Sequence, residues 1–156
     1  MLKIFKFGGA SVKDSEGVKN LLKVLQHEGT ENTLIVVSAM GKMTNAFEKI
    51  VASYLNGTEN LDEQIAFVVD FHRQIALDLF PKEHPVFNEI SLLIGQLQGF
   101  IITNTSSDSS FVYDQIVGFG ELISTKIVSA YLHLSGVENN WLDVRNTIKT
   151  DRNYRK

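Results

Sequence analysis

An α/β fold with a mostly parallel sheet follows from three features of the sequence. An apolar segment at 2–7 and a β-branched run at 33–38 each end in a loop of small residues. A segment with helical periodicity follows each loop, and strand, loop and helix repeated in that order build parallel α/β units. The run Thr33-Leu34-Ile35-Val36-Val37-Ser38 lacks polar alternation, the pattern expected of a strand buried on both faces of its sheet.

Leu2 to Phe7 is the first predicted strand. Asp14 and Ser15 can cap the helix that follows, where Val18, Leu21, Leu22 and Leu25 keep the 3.6-residue period and Gly17 weakens the first turn. After the second strand and the loop Ala39 to Met43, Thr44 can cap a helix carrying Phe47, Ile50, Val51, Tyr54 and Leu55. Asn60 and Glu63 have the spacing of a capping box. They open a helix presenting Ile65, Val68, His72, Ile75 and Leu79, which stops near Pro81; His72 is expected to be semi-buried on it. Another helix follows Pro85 with Phe87, Ile90, Ile94, Leu97 and Ile101. Asn104 to Ser110 reads as a polar loop, and Phe111 to Ser135 as helix interrupted around Gly118-Phe119-Gly120. Asn140 to Arg145 has the character of a last strand, and a polar tail runs to Lys156.

The 156 residues suit one domain with a real core, and 44% hydrophobic with 21% charged residues is ordinary for a folded protein. A net charge of −3 argues against nucleic acid or an anionic membrane surface as the main partner. Without cysteine there is no disulfide frame, thiolate nucleophile or thiolate metal site. The first apolar run is broken by Lys3 and Lys6, unlike a signal peptide, and no apolar stretch approaches the roughly 20 residues of a membrane helix. A cytoplasmic location is the expectation.

Several familiar sites are excluded by spacing. A Walker loop would need glycine where Val36 stands and a hydroxyl where Met43 stands. Gly118-Phe119-Gly120 follows a helical pattern and lacks the third glycine of a dinucleotide fingerprint. His27, His72, His84 and His133 have no metal-ligand spacing. What remains is Lys6-Phe7-Gly8-Gly9-Ala10-Ser11-Val12, a strand end opening onto two glycines before a helix. Such a loop can bring N–H groups against an anion, with the helix dipole and a mobile lysine in support. The same residues would also make an edge-strand lysine and an ordinary turn. Thr44 likewise could serve as a cap alone, and Glu121 as an acid favoured at any helix start.

Four blocks in order narrow the choice. Lys6 to Val12 resembles the amino-terminal signature of aspartate kinases, and Val36-Val37-Ser38-Ala39-Met40-Gly41-Lys42-Met43-Thr44-Asn45 resembles their second block. Gly118-Phe119-Gly120-Glu121-Leu122-Ile123-Ser124 is similar to their Gly-Glu-x-x-Ser block. Trp141-Leu142-Asp143-Val144-Arg145 with Ile148-Lys149-Thr150-Asp151 is similar to the fourth. Ala10 departs from the usual Thr, which removes a hydroxyl from the loop and leaves its backbone donors.

The resemblance implies the amino-acid kinase (carbamate-kinase-like) fold, a three-layer αβα sandwich with a mostly parallel sheet. Residues 1–156 would be its amino-terminal portion, with the nucleotide half and small-molecule-sensing ACT domains expected beyond Lys156. The implied reaction transfers the γ-phosphoryl of ATP to the side-chain carboxylate of L-aspartate, giving 4-phospho-L-aspartate, the first step of aspartate-family (lysine and threonine) amino-acid biosynthesis. By the same resemblance Lys6 is catalytic, and Lys6, Gly8, Gly9, Ala10 and Ser11 bind the ATP phosphates. Ser38, Thr44 and Glu121 bind the acceptor, Glu121 through its α-ammonium, while Asp143 and Arg145 support the site's shape. Magnesium would arrive with ATP and not in a cage of protein ligands; the partners are these small molecules, not nucleic acid or membrane, and a homo-oligomer is expected. Residues 1–156 alone are expected not to turn over. Two alternatives stand beside this: a relative with another acceptor, and a non-catalytic anion-binding or assembly module.

Overall fold

The computed structural model describes residues 1–58 and 60–151, so the polar tail beyond Asp151 lies outside the described residues. Strands β1 (Lys3–Phe7) and β2 (Thr33–Val37) pair in parallel, from Lys3 opposite Thr33 to Phe7 opposite Val37. Helix α1 (Ser15–Glu28) connects them. Then come α2 (Met43–Asn56), α3 (Leu61–Leu79), α4 (Val86–Thr103), α5 (Ser109–Val117) and α6 (Phe119–Leu134). Single 3-10 turns occupy Gly9–Val12 and Val144–Asn146. Both expected strand–loop–helix units are present, in a helix-rich α/β arrangement.

The helix starts obey local chemistry unevenly. Asp14 caps α1 as expected, its carboxylate accepting the Gly17 N–H at 2.8 Å. Thr44 is not a cap. The Met43 N–H already bonds the Met40 carbonyl at 3.0 Å, so α2 begins at Met43, two residues earlier than a Thr44 cap would start it, and Thr44 lies inside its first turn. The capping box at Asn60 does not form either. Asn60 Oδ1 accepts instead from the hydroxyls of Ser53 (3.1 Å) and Thr58 (2.7 Å). Asp108 caps α5 through the N–H groups of Ser110 and Phe111, which starts that helix at Ser109 within the expected loop.

Two other expectations fail for a shared reason, the absence of a partner surface among the described residues. β2 was expected to be buried on both faces, yet exposure alternates along it. Val37 is buried and Ile35 half-buried, while Leu34 and Val36 are each 45% exposed, and Ile4 beside them on β1 is 63% exposed. The described helices therefore cover one face of the sheet, and the second helical layer of a three-layer sandwich is not among them. Asn140 to Arg145 is not a strand. It carries no ladder partner and is seated on α6 instead, with Trp141 Nε1–H donating to Thr125 Oγ1 at 3.0 Å and Lys126 Nζ 4.0 Å above the indole.

The core runs through Leu21 and Leu25 of α1, Met40, Phe47 and Ile50 of the second unit, Leu97 of α4, Ile116 of α5 and Ile123 and Ile127 of α6. By length and composition α4 could cross a membrane, with 18 residues at mean hydropathy 1.3. This corrects the expectation that no apolar stretch approaches that length; Asn88, Glu89, Ser91, Gln96 and Gln98 interrupt the apolar pattern and masked it. Its Val86, Ile90, Leu93, Ile94 and Leu97 are buried as α4 packs on α3 and α6.

His72 is fully buried rather than half-buried. Its Nδ1 bonds the Val68 carbonyl of the preceding turn at 2.6 Å, and burial pushes the imidazole down to about 4.

Two predictions follow from this packing. A Cβ on Gly9 would lie 2.7 Å from the carbonyl oxygens of both Ala39 and Gly41, whereas one on Gly95 of α4 would meet nothing within 4 Å. In urea unfolding, Gly9→Ala should cost about 1–3 kcal/mol, and Gly95→Ala should gain about 0.5–1 kcal/mol; equal shifts would contradict the close approach. For His72, the unfolded chain binds a proton near pH 6.5 and the folded chain only near 4, so the contribution to stability is complete above the higher value and is lost as pH falls between them. The loss should be on the order of 3 kcal/mol across that window and absent in His72→Leu. Parallel pH profiles for the two proteins would contradict it.

Candidate active site

Three backbone segments meet beyond the carboxyl ends of the two strands, where open α/β sheets hold their ligands. The first is the loop after β1. Gly8 is extended, and the Ser11 N–H closes the turn on the Gly8 carbonyl at 2.9 Å. Val12 anchors the turn in the core at 0% exposure. The N–H groups of Gly9 and Ala10 donate to no described residue. Lys6 is exposed on β1, and its Nζ lies 3.4 Å from where a Cβ on Gly8 would stand, so the ammonium folds back over this loop. Two free donors beside a positive charge form an anion-binding arrangement.

The second segment follows β2. The Ser38 N–H extends the ladder by donating to the Phe7 carbonyl at 3.0 Å, and the Gly41 N–H donates to the Gly9 carbonyl at 2.9 Å. Gly41 has φ +54°, a left-handed conformation that side chains resist. Thr44 stands half-buried three residues further on, with no hydrogen bond to its hydroxyl among the described residues.

The third is the first turn of α6. Ser124, fully buried, donates its hydroxyl to the Ser38 carbonyl at 2.8 Å, which docks the helix on the second loop. Glu121 Oε1 accepts the Ala39 N–H at 3.4 Å. That separation is at the weak end for a hydrogen bond, so the half-buried carboxylate keeps acceptor capacity for a ligand. Gly120 makes the docking possible, since a Cβ there would fall 3.1 Å from Ala39 Cβ and 3.2 Å from the Phe47 ring.

Gly8, Gly9, Ala10 and Ser11 thus share one loop, with the Lys6 side chain of β1 folded toward it. The second loop with Ser38 lies against that loop at Gly9, and α6 brings Glu121 to the second loop at Ala39. Asp143 and Arg145 stand apart and bind one another, Arg145 Nε and Nη2 donating to the carboxylate at 2.6–3.1 Å. The Arg145 guanidinium holds the Asp143 carboxyl below the usual range. Their link to the site is indirect. Trp141 donates to the Thr125 hydroxyl, which itself donates to the Glu121 carbonyl at 2.8 Å. Sequence reasoning missed Gly17, Gly41 and Gly120. Gly17 was read as a weak helix position, but a Cβ there would lie 2.5 Å from the Ser11 carbonyl oxygen, so it seats α1 under the first loop.

There are two open surface grooves of roughly the volume of a small ligand, one on the outer face of α4 and one between α2 and α3 that is lined by Lys49 and Phe67 and borders the second loop at Lys42, Met43 and Asn45. Neither is lined by Lys6, Gly9, Ser38 or Glu121, so the candidate site rests on converged polar groups. Among the described residues no three His, Asp or Glu side chains cluster as metal ligands.

The model of the Amino acid kinase family matches residues 1–156. Among curated proteins, chloroplastic bifunctional aspartokinase/homoserine dehydrogenase 2 of Arabidopsis thaliana is 29% identical over 154 residues, spanning 95% of this chain and 17% of its own length. Chloroplastic aspartokinase 2 of the same plant is 32% identical over 137 residues, spanning 85% of this chain and 25% of its own. The crystal structure of E. coli aspartokinase III with lysine and aspartate superposes with a TM-score of 0.81 at 25% identity, covering 98% of this chain and 34% of that one. The chain therefore spans between 17% and 34% of the length of these relatives. With strand–loop–helix units in the expected order and a family match along its whole length, the chain belongs to the amino acid kinase family.

Proposed function

We propose that this chain forms the acceptor-side part of an aspartate kinase, which transfers the γ-phosphoryl of ATP to the side-chain carboxylate of L-aspartate. The observation that carries the reading is the Glu121 carboxylate at the first turn of α6, which meets the Ala39 N–H of the second loop. That loop is joined at Gly9 to the first, where Lys6 lies beside N–H groups of Gly9 and Ala10 that donate to no described residue. One anion-binding end and one cation-binding end on a single frame suit a substrate pair of a phosphate donor and an amino-acid acceptor. The aspartokinase names of the relatives and the E. coli aspartokinase III complexes with aspartate support the same assignment.

The acceptor carboxylate has an ordinary pKa of about 3.9, so it is ionised at neutral pH and needs no general base. Catalysis is then alignment and charge stabilisation. In this reading Lys6 meets charge that builds on the moving phosphoryl, and the Gly8–Gly9–Ala10–Ser11 loop cradles the phosphates. Glu121 pairs with the α-ammonium of aspartate, and Ser38 and the unengaged Thr44 hydroxyl face the rest of it. Ala10 contributes its backbone N–H where a threonine would add a hydroxyl. Magnesium would be held by the nucleotide phosphates, where it would neutralise their charge.

Residues 1–156 would then form the amino-terminal portion of a longer cytoplasmic, oligomeric enzyme whose nucleotide half follows. Support comes from the 34% share of the E. coli chain and from the apolar sheet face of Ile4, Leu34 and Val36, which no described helix covers.

The test uses the full-length gene product, with ATP and aspartate varied separately. Lys6→Ala should lower kcat on the order of a hundredfold or more with a smaller change in KM, because the interaction strengthens in the transition state. Glu121→Gln should raise KM for aspartate much more than KM for ATP. An unchanged kcat in the first variant, or equal effects on both substrates in the second, would return these residues to purely structural roles.

A further inference from the structure

His72 is a costly residue for a core. The carbonyl of Val68 can only accept, so the bond at 2.6 Å places the ring proton on Nδ1 and leaves Nε2 as a bare lone pair. That nitrogen is buried and has no hydrogen-bond partner among the described residues. An aliphatic side chain of similar volume would fill the space without an unsatisfied acceptor.

The ring contacts give the residue another use. Phe71 meets the imidazole edge-on, with centroids 5.3 Å apart and planes at 89°, and Phe47 lies 6.4 Å away on α2. Each phenyl ring then abuts a glycine of the candidate site. Phe71 Cζ stands 3.5 Å from where a Cβ on Gly41 would be, and Phe47 stands 3.2 Å from the same position on Gly120. Gly41 shapes the second loop, and Gly120 immediately precedes Glu121. The imidazole therefore lies behind both, held in one orientation by its bond to Val68.

We infer that His72 is a positioning residue for the acceptor end of the site, fixing the first turn of α6 against the second loop through the Phe47 and Phe71 rings. The inference rests on the acceptor role proposed for Glu121. The Glu121 carboxylate spans only 3.4 Å to Ala39 N across this junction. A shift of the helix turn relative to the loop therefore moves the group that grips the substrate ammonium. The phosphate loop at Gly8–Ser11 reaches this junction only through the Gly9–Gly41 backbone contact and has its own anchor in the buried Val12, so it should be affected less.

The test is the steady-state kinetics of the full-length gene product carrying His72→Leu, His72→Asn and, separately, Phe71→Leu. His72→Leu should raise KM for aspartate at least about fivefold with KM for ATP within about twofold. His72→Asn, which retains an N–H donor near the Nδ1 position, should recover part of that loss. If His72→Leu does not fold, His72→Asn and Phe71→Leu carry the comparison, both with a selective rise in KM for aspartate. In amide NMR spectra of residues 1–156, His72→Asn should move the Gly41 and Gly120 resonances and leave the remote Gly57 and Gly136 in place. Unchanged KM values with only a lower melting temperature would overturn the inference and make His72 a core filler. Glu121→Gln run in parallel separates the two readings: if it raises KM for aspartate and the His72 variants do not, only the positioning role fails. If it too leaves that KM unmoved, the acceptor site itself is misplaced.

Discussion

The approach of two loops at backbone distance governs the rest of this structure. Gly9 lies where any Cβ would sit 2.7 Å from the carbonyl oxygens of Ala39 and Gly41, and the Gly41 N–H bonds the Gly9 carbonyl in return. The parallel pairing of β1 and β2 brings the loops side by side, and the Ser38 bond to Phe7 carries the ladder one residue past the strands. Once the loops are joined, their remaining donors have a fixed direction. The N–H groups of Gly9 and Ala10 donate to no described residue, next to Gly8 where the Lys6 ammonium lies.

A second layer of constraint places the acid. Ser124 and Gly120 seat α6 on the second loop, the serine by its bond to the Ser38 carbonyl and the glycine by leaving room for Ala39 and Phe47. Glu121 is then carried to the loops by a helix whose own first-turn N–H groups favour a carboxylate. The segment with Trp141, Asp143 and Arg145 bears on the same helix one turn beyond Glu121, through the bond of Trp141 to Thr125. Small residues at 9, 17, 41 and 120 thus do by absence of a side chain what the polar groups do by presence. The elements close up until a cationic and an anionic group share one frame.

The sequence made the elements legible wherever local chemistry decides them. Asp14 before Val18 and Leu21 marked α1, β-branched residues at 33–37 marked β2, and the apolar period from Leu61 to Leu134 marked the later helices. It misled where a tertiary partner decides. A continuous apolar run does not reveal how many faces are covered, so Leu34 and Val36 were misjudged. Thr44 and Asn60 have capping chemistry, but the Met40–Met43 bond and the Ser53 and Thr58 hydroxyls took the local geometry elsewhere. Trp141 to Arg145 reads as a strand until the bond of Trp141 to Thr125 is seen. The Lys6-Gly8-Gly9 loop was readable as an anion-binding candidate from its local chemistry, but Lys6 and Glu121 were preferred over structural roles only through the four ordered blocks that resemble aspartate kinases. The packing glycines and His72 were not, since nothing in sequence spacing tells which ring or carbonyl will stand opposite them.

The most direct test of the account is a crystal structure of the full-length gene product with L-aspartate and an ATP analogue bound. The account predicts the aspartate ammonium within hydrogen-bond distance of the Glu121 carboxylate, and the analogue's phosphates against the Gly9 and Ala10 N–H groups with Lys6 Nζ beside them. Aspartate bound away from Glu121, or phosphates held by another loop while Gly9 and Ala10 remain uncontacted, would contradict it.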